Sequence, residues 1–381
     1  MSLLGDERIG KKAAKIDTPV ALIDYSTLCR NIEDMAERAR RTGVGLRPHT
    51  KTHKCAAIAN LQLRAGASGI TVAKLDEAEI MAQAGANDIL IAYPIVQEAK
   101  ILRLLALGKW VGRVACTVDS LEGAHRLSEV ATESNRAPLD VLIEVDTGLH
   151  RIGLPPGRPT VEFARELAML RGIRTRGILT HAGFGHSART KEELIAIGRS
   201  EADLMVETAV MLAEAGLGVE EVSIGSSPTM SVWQGAAGIT EIRPGTYALN
   251  DGSLVGIGAA TIGTCALTIM ATVVSRPAAD RLILDAGSKS LSSDRPQHTN
   301  PPGFGIIKGH PNLVIEMLYE EHSVVRVTEE VGYTQPPSIG QKVEIIPNHA
   351  CAAVNLYDAL VVVKDNEVMA VWTVSGRGKI Q

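Results

Sequence analysis

Short apolar runs with the length of β-strands alternate with charged segments of helical spacing through the first two-thirds of the chain. A first run, at residues 20–25, is followed by a helical pattern that begins near Ser26, a residue type that often caps helices. Eight further strand-like runs follow, with helical patterns between most of them: LRPHTK, ITVAKL, DILIAYP, RVACTVD, VLIEVDTG, RGILTHAG, EVSIGSS and EIRPGTYALND. Eight strands with helical crossovers in about 200 residues predict an α/β fold of the (β/α)₈ TIM-barrel type. An open doubly wound sheet is the alternative, but no Gly-x-Gly-x-x-Gly motif follows an early strand.

The pattern changes after about residue 257. The β-rich runs there are separated by Pro, Gly and Asp and show little helical periodicity, which predicts a second, mostly β domain. We therefore expect a barrel domain at residues 26–257 and a β-rich domain at residues 258–381. The strand within residues 1–25 is expected to join the second domain, because eight later strands already complete the barrel. Residues 288–309 form a long irregular segment, and such loops are often functional.

Composition and charge exclude several classes of protein. The 381 residues include 39 Lys and Arg against 43 Asp and Glu, and only 3% of them are aromatic. Neither a basic field nor a set of stacking side chains is available, so no nucleic-acid partner is expected. The five cysteines are widely spaced and odd in number, which is not a disulfide framework. With neither a signal-peptide pattern nor an apolar stretch near the ~20 residues that span a bilayer, we predict a cytoplasmic protein without membrane contact.

Residues capable of chemistry cluster at the predicted C-terminal ends of the barrel strands, where barrel enzymes keep their active sites. The first of these strands ends in RPHTKTHKC. Alternation along an extended strand is expected to point Arg47, His49 and Lys51 the same way. A lysine that projects into a barrel mouth loses hydration, its pKa falls, and it becomes a nucleophile toward carbonyl groups. A solvated, charged strand end is the alternative interpretation.

Other strand ends carry polar residues of the same kind. EVDTGLHRIG places Glu144, Asp146, His150 and Arg151 near the mouth, and Arg151 can pair with an anionic ring oxygen or a carboxylate. The loops after the seventh and eighth strands contain residues that can surround a phosphate with N–H groups and hydroxyls: Gly225, Ser226, Ser227, Gly245 and Thr246. The alternatives are that Arg151 forms a surface salt bridge and that the two loops are turns without a ligand.

Near the C-terminus, the segment PNHACAAVNLYD places His349 and Cys351 two residues apart. On an extended segment, both side chains face the same way. An imidazole and a thiolate suit Zn²⁺, and two protein ligands leave positions for water and substrate. Taken alone, His-x-Cys is also a spacing that occurs by chance.

Together these motifs resemble the D-threonine aldolase and D-serine dehydratase group, which are pyridoxal-phosphate enzymes of the alanine-racemase fold. The resemblance extends over roughly residues 17–378, and its motifs occur in the expected order: DTPVALID, RPHTKTHKC, EVDTGLHRIG, THAGFGH, VSIGSSPT, EIRPGTYALND, DAGSKSLSSDR and PNHACAAVNLYDAL. It implies a lyase that acts on a small-molecule D-amino acid, and it implies a homodimer.

The resemblance also implies a role for each candidate residue. Lys51 would form the Schiff base with pyridoxal phosphate, Arg151 would contact the ring oxygen, and His181 would lie beside the ring. The five loop residues named above would surround the cofactor phosphate. His349 and Cys351 would hold a divalent metal, Zn²⁺ or Mn²⁺.

The reaction within this group depends on which proton is removed. Loss of the 3-hydroxyl proton breaks Cα–Cβ and gives glycine and an aldehyde, whereas loss of the Cα proton and the hydroxyl gives an oxo acid and ammonia. His186, in THAGFGHSA, is expected where a base for the 3-hydroxyl is wanted, which favours the aldolase; an exposed loop histidine is the alternative. Cys351 is closer to the dehydratases, since aldolases of the group often carry Asp there. An amino-acid racemase and a non-catalytic pyridoxal-phosphate carrier are the remaining alternatives.

Overall fold

The computed structural model describes residues 6–135, 138–296, 301–328 and 335–381, which fall into two compact units. The barrel unit comprises Asp34–Lys51, Ala59–Gly245 and Lys379–Gln381. The β unit comprises Met1–Glu33, Thr52–Ile58 and Thr246–Gly378.

Strands and helices are numbered in chain order. The strands are β1 (Val20–Asp24), β2 (Gly45–Leu46), β3 (Ile70–Val72), β4 (Asp88–Pro94), β5 (Arg113–Val118), β6 (Leu139–Glu144), β7 (Ile173–Leu179), β8 (Glu221–Ile224), β9 (Glu241–Ile242), β10 (Leu267–Ala278), β11 (Arg281–Leu284), β12 (Ile306–Ile307), β13 (Leu313–Leu318), β14 (Ser323–Val327), β15 (Lys342–Ile346), β16 (Ala359–Lys364) and β17 (Glu367–Thr373). The α-helices are α1 (Tyr25–Thr42), α2 (Ala56–Arg64), α3 (Leu75–Gln83), α4 (Glu98–Leu107), α5 (Leu121–Glu133), α6 (Arg158–Leu167), α7 (Lys191–Glu214), α8 (Ser227–Ser231), α9 (Gly252–Gly256), α10 (Ser288–Leu291) and α11 (Ala350–Val354).

The barrel unit contains a parallel sheet of eight strands in the order β2-β9-β8-β7-β6-β5-β4-β3. A parallel bridge between His49 and Thr71 joins its two edges, so the sheet closes into a barrel. Helices connect the successive strands, and only the short α8 connects β8 to β9, where the helical signal in the sequence is weakest. Parallel strands that are covered on both faces consist of continuous apolar runs, and every residue of β6 is buried.

The β unit contains a nine-stranded sheet in the order β11-β14-β13-β12-β15-β10-β1-β16-β17. β1 pairs antiparallel with β10 and parallel with β16, so the N-terminal strand belongs to this sheet. An additional pairing of β11 with β10 closes one side of the sheet into a ring. A buried cluster around β1 stabilises the other side by apolar burial; it contains Ile16, Val20, Leu22, Met270, Val361, Val368 and Val371. The predicted fold class, a TIM barrel with a second, mostly β domain, is confirmed.

The end of the first barrel strand differs from the expectation. β2 ends at Leu46, and Lys51 lies in a 3₁₀ turn, Thr50–Thr52. The N–H groups of Arg47 and His49 still donate to the carbonyls of Ile242 and Pro244, at 2.9 and 3.0 Å, so the sheet hydrogen bonds continue past Pro48. The turn begins at Thr50, so the alternation predicted along residues 47–51 is wrong at Lys51. The Thr50 hydroxyl holds the turn instead, because it donates to the Thr71 carbonyl at 3.2 Å.

Two further features bear on the classes of protein considered above. No disulfide forms among the cysteines, which are all in the described part of the chain. In the described ranges, no helix has the length and apolar character that crossing a bilayer requires.

Candidate active site

A cavity of about 430 Å³ opens at the C-terminal ends of the barrel strands. Its volume is in the range of small-molecule sites, and its position is the one that barrel enzymes use. Its ionisable lining residues include His49, Lys51, Glu144, Arg151, His181 and Arg243. The structure therefore brings together Lys51, Arg151 and His181, three of the residues singled out from the sequence.

Lys51 shares the cavity with two imidazoles that are uncharged near neutral pH. Burial, and next to it the positive charge of Lys51, hold the pKa of His49 and of His181 well below the usual 6.5. The Nδ1 atom of His181 lies 3.3 Å from the carbonyl oxygen of Gly225. A neutral imidazole can pack against an aromatic ring while one of its nitrogens stays hydrogen-bonded. The cavity thus combines a primary amine with two uncharged rings.

A buried carboxylate, two guanidinium groups and a second amine, that of Lys74, also belong to the charged lining. Glu144 is 4% exposed, and its Oε2 atom has no hydrogen-bond partner within the described residues. Burial raises the pKa of Glu144 to about 7, against the opposing charges of Arg243 and Arg151. Arg243 is buried as well and donates to the Ser223 hydroxyl at 2.5 Å. Because a buried carboxyl oxygen without a hydrogen-bond partner is costly, Oε2 of Glu144 is suited to face water or another polar group in this cavity.

Glu144→Gln is expected to be stabilising at high pH in the protein without cofactor. Unfolded chains lose this proton near the ordinary pKa of 4.5, whereas the folded protein keeps it until about 7. Raising the pH through that window therefore favours the unfolded state, and above pH 7 the full penalty of roughly 3 kcal/mol remains. Urea unfolding at pH 5 and pH 8 should show Glu144→Gln gaining stability over the parent chain at the higher pH.

The control for this comparison is Glu129→Gln, at an exposed position of α5, which removes one negative charge from the surface. Glu201 is a second buried carboxyl group, and it is the same in the parent and the variant. Its titration therefore contributes equally to both free energies of unfolding and cancels in their difference. An equal difference between parent and Glu144→Gln at both pH values would show that burial does not perturb this carboxyl.

The loops after β8 and β9 are joined by a hydrogen bond. The Gly245 N–H donates to the Ser227 hydroxyl at 3.2 Å. Ser226 lies beside them at the start of α8, buried, with its hydroxyl 3.1 Å from that of Thr229. The structure thus brings together three of the five residues predicted to surround a phosphate.

Gly225 and Thr246 complete the predicted phosphate group. Gly225 lines the cavity with φ at +109°, a conformation that favours glycine. Its N–H donates to the Glu201 carboxylate at 3.0 Å. Thr246 falls in the β unit and begins the 3₁₀ turn Thr246–Ala248. The phosphate-binding roles of these residues stay predictions.

The predicted metal ligands lie at the start of α11 in the β unit. His349 is the residue before that helix and Cys351 is in its first turn, so the extended segment assumed from the sequence is wrong. The helical start still brings the imidazole into hydrogen-bond contact with the Cys351 thiol, which raises the pKa of His349 to about 10. The thiol donates to the Thr52 hydroxyl at 3.2 Å. In the described part of the chain no group of three or more His, Cys, Asp or Glu side chains is placed to hold a metal.

Other candidates from the sequence lie outside the cavity lining. His186 is half-buried in the 3₁₀ turn Gly183–Ser187 and is not among the residues that line the cavity. Asp146 accepts the backbone N–H of His150 at 3.0 Å and lies at the same distance from the ring of His150. The side chain of His150 is exposed, so Asp146 and His150 form a local turn.

Sequence reasoning assigned no role to several cavity residues, among them Glu144, Arg243 and Lys74. Glu144 ends β6, which is buried at every position, and Arg243 follows directly after β9. A charged residue at the C-terminal end of a fully buried strand is the signal that could have identified Glu144. Arg243 carries no comparable signal, because an arginine after a strand is usually solvated.

Comparison with known proteins identifies the family. The alanine racemase N-terminal domain matches residues 23–251, and the putative serine dehydratase domain matches residues 266–363. D-threonine aldolase of Arthrobacter sp. is 36% identical over 377 residues, 97% of this chain and 95% of the relative. The chain belongs to the D-threonine aldolase and D-serine dehydratase group of the alanine racemase family. It is therefore a lyase of that group.

Other relatives of this group have different activities. D-threo-3-hydroxyaspartate dehydratase of Delftia sp. is 35% identical over 350 residues, 88% of this chain and 91% of the relative. The crystal structure of D-threonine aldolase from Filomicrobium marinum matches with a TM-score of 0.87 at 30% identity, covering 98% of this chain and 99% of that one. A Cys→Ala mutant of D-threo-3-hydroxyaspartate dehydratase, in its metal-free form, matches with a TM-score of 0.88 at 32% identity over 95% and 98% of the two chains. Family membership fixes the lyase class and leaves the choice between aldolase and dehydratase open.

The side chains present fit both groups that the family implies. For pyridoxal phosphate, the barrel cavity has sufficient volume and offers an amine, a neutral imidazole and the Oε2 atom of Glu144, for which the described part of the chain supplies no hydrogen-bond partner. For a divalent metal, an imidazole and a thiol in mutual contact are a donor set that suits Zn²⁺.

Proposed function

We propose that the protein is a pyridoxal-phosphate-dependent, metal-assisted lyase of the D-threonine aldolase type. Its reaction would be the retro-aldol cleavage of D-3-hydroxy-amino acids, which converts D-threonine to glycine and acetaldehyde. The observation that carries this proposal is the cavity in which Lys51 adjoins two neutral imidazoles and Arg151. The 36% identity to a D-threonine aldolase over nearly the whole chain supports the choice of reaction.

The cavity residues divide the work of holding the cofactor. Lys51 attaches it covalently through the side-chain amine, and Arg151 pairs with the ring oxygen. His181, kept neutral by burial, lies beside the ring without adding positive charge. Gly225, Ser226, Ser227, Gly245 and Thr246 surround the phosphate. The chemistry that bound pyridoxal phosphate supplies is the uptake of an electron pair released at Cα.

His349 and Cys351 hold the divalent metal, Zn²⁺ or Mn²⁺, which supplies a Lewis acid for the substrate oxygens. In the aldolase reaction His186 is the base that accepts the proton of the substrate 3-hydroxyl. That assignment rests on the sequence, since His186 does not line the cavity described above.

A dehydratase is the second candidate, and one observation favours it. Cys351 gives the proposed metal site a thiol, and a D-threo-3-hydroxyaspartate dehydratase is 35% identical to this chain. In that reaction Lys51 would remove the Cα proton and the 3-hydroxyl would leave as water. The enamine formed would tautomerise to an imine, which water would hydrolyse to the oxo acid and ammonia. Racemase activity and cofactor carriage without turnover are the remaining outcomes to test. The homodimer and the cytoplasmic location also stay predictions.

The deciding experiment measures products. Protein loaded with pyridoxal phosphate and Zn²⁺ or Mn²⁺ is incubated with D-threonine, and glycine and 2-oxobutanoate are quantified together. Glycine with acetaldehyde, lost on treatment with EDTA, is the expected result. Oxo acid with ammonia would replace the aldolase by the dehydratase and remove the role of His186. L-threonine serves as the control for D selectivity, and L-allo-threonine formed from D-threonine would indicate epimerisation at Cα.

A further inference from the structure

The segment at residues 288–309 reaches one of the two proposed metal ligands. Asp294 lies between α10 and β12, and its Oδ2 atom is 2.5 Å from Nδ1 of His349. The two residues are 55 positions apart, so the tertiary fold of the β unit sets this contact rather than a local turn. Both side chains are about half exposed.

A second contact holds Asp294 independently of its carboxylate. Asn348, the residue before His349, is buried and donates through Nδ2 to the Asp294 carbonyl at 3.2 Å. The same amide group donates to the Gly303 carbonyl at 2.9 Å. The backbone of Asp294 is thus fixed beside the start of α11, and its carboxylate is held within reach of the imidazole.

The Asp294 carboxylate determines which ring nitrogen of His349 is available to bind a metal. A hydrogen bond from Nδ1–H to Asp294 leaves Nε2 as the nitrogen that can bind a metal. The imidazole is also hydrogen-bonded to the Cys351 thiol, which contacts the Thr52 hydroxyl at 3.2 Å. Imidazole and thiol therefore adjoin each other, while the Asp294 carboxylate contacts Nδ1.

We propose that Asp294 is a positioning residue that fixes the ring of His349 with Nε2 directed at the divalent metal. This inference rests on the proposed function, because it requires that His349 and Cys351 bind a metal. A carboxylate that accepts the second ring N–H of a metal-bound histidine orients the ring, and its loss typically lowers metal affinity about 10- to 100-fold. An ordinary surface ion pair contributes little and leaves metal affinity unchanged.

The first test measures the Zn²⁺ affinity of the full chain, loaded with pyridoxal phosphate, by competition with a chromophoric chelator. Asp294→Ala removes the acceptor and is expected to weaken Zn²⁺ binding about 10- to 100-fold. Asp294→Asn keeps an amide oxygen in the same place and is expected to weaken binding less. The absorbance of the bound cofactor should be unchanged in both variants. Asp358→Ala is the matched control, because Asp358 forms an exposed ion pair with Arg377 at 2.6 Å in the same unit and should bind Zn²⁺ like the parent chain.

The second test reports the geometry of the site rather than its affinity. Co²⁺ bound in place of Zn²⁺ gives absorption bands that depend on the ligands, and Asp294→Ala is expected to shift them more than Asp294→Asn. Parent-like affinity and bands in Asp294→Ala would overturn the proposal and reduce the contact to a surface ion pair. Parent protein that binds Zn²⁺ no better than Cys351→Ala would overturn the metal site and this inference together. Weakened Zn²⁺ binding in Asp294→Ala, without glycine or oxo acid from D-threonine, would support the inference and contradict the proposed substrate.

Discussion

Lys51→Ala is expected to abolish turnover and covalent attachment of pyridoxal phosphate. The amine of Lys51 lines the barrel cavity, and the covalent link to the cofactor aldehyde requires a primary amine. Lys74 also lines the cavity, with its amine 4.0 Å from the centre of the Tyr93 ring, so the mapped peptide decides between the two lysines. We expect the rate of D-threonine cleavage to fall by about 10⁴-fold or more, the scale of loss when a covalent catalytic group is removed. Visible absorbance of the bound cofactor, and borohydride reduction followed by peptide mapping, measure the attachment directly.

Lys54→Ala is the matched control for this prediction. Lys54 belongs to the same RPHTKTHKC motif but lies in the β unit, and it does not line the cavity. Its removal should leave the mapped attachment at Lys51. Reduced cofactor found at Lys54 in the parent chain would refute the assignment of Lys51, whatever the effect on activity.

The fold could be predicted because burial follows the sequence pattern closely. β6 is buried at every position, and four of its six residues are apolar, as expected for a strand that is covered on both faces. Local geometry at the strand ends was less predictable. The chain turns at Thr50, before Lys51, and a helix begins directly after His349, so both alternation arguments assumed extended chain where turns occur.

The candidate site was predictable only where a residue lies within a recognisable motif. Lys51, Arg151 and His181 do, and the closed barrel brings all three to one cavity. Asp294 also lies within a motif, DAGSKSLSSDR, but nothing in that motif indicates its partner. Its contact with His349 joins residues 55 positions apart through a segment without periodicity, so only tertiary structure shows it.

Removal of the Cys351 thiol is expected to have the second-largest effect, because it deletes one of the two proposed metal ligands. Cys351→Ala should weaken Zn²⁺ binding by more than roughly 100-fold, which is the largest loss expected when a residue that only hydrogen-bonds to a metal ligand is removed. Activity should fall in parallel and should not recover when Zn²⁺ is added at micromolar concentration. Metal content after dialysis and the rate of glycine release are the two measurements. Cys29→Ala, at a half-buried position of α1, controls for the loss of a thiol elsewhere in the same unit.

Cys351→Asp separates the role of the ligand from the choice of reaction. A carboxylate is a harder ligand than a thiolate and suits Mn²⁺ better, so this variant should bind metal again with its preference shifted from Zn²⁺ toward Mn²⁺. If the proposed aldolase reaction is correct, Mn²⁺-loaded Cys351→Asp should recover glycine release, because the metal needs only to hold the substrate oxygens. If the thiol instead makes the parent chain a dehydratase, the parent should release oxo acid, and the change to Asp should alter the ratio of the two products. The ratio of glycine to oxo acid in parent and variant, measured with the same metal, therefore tests whether the residue at position 351 selects the reaction or only the metal.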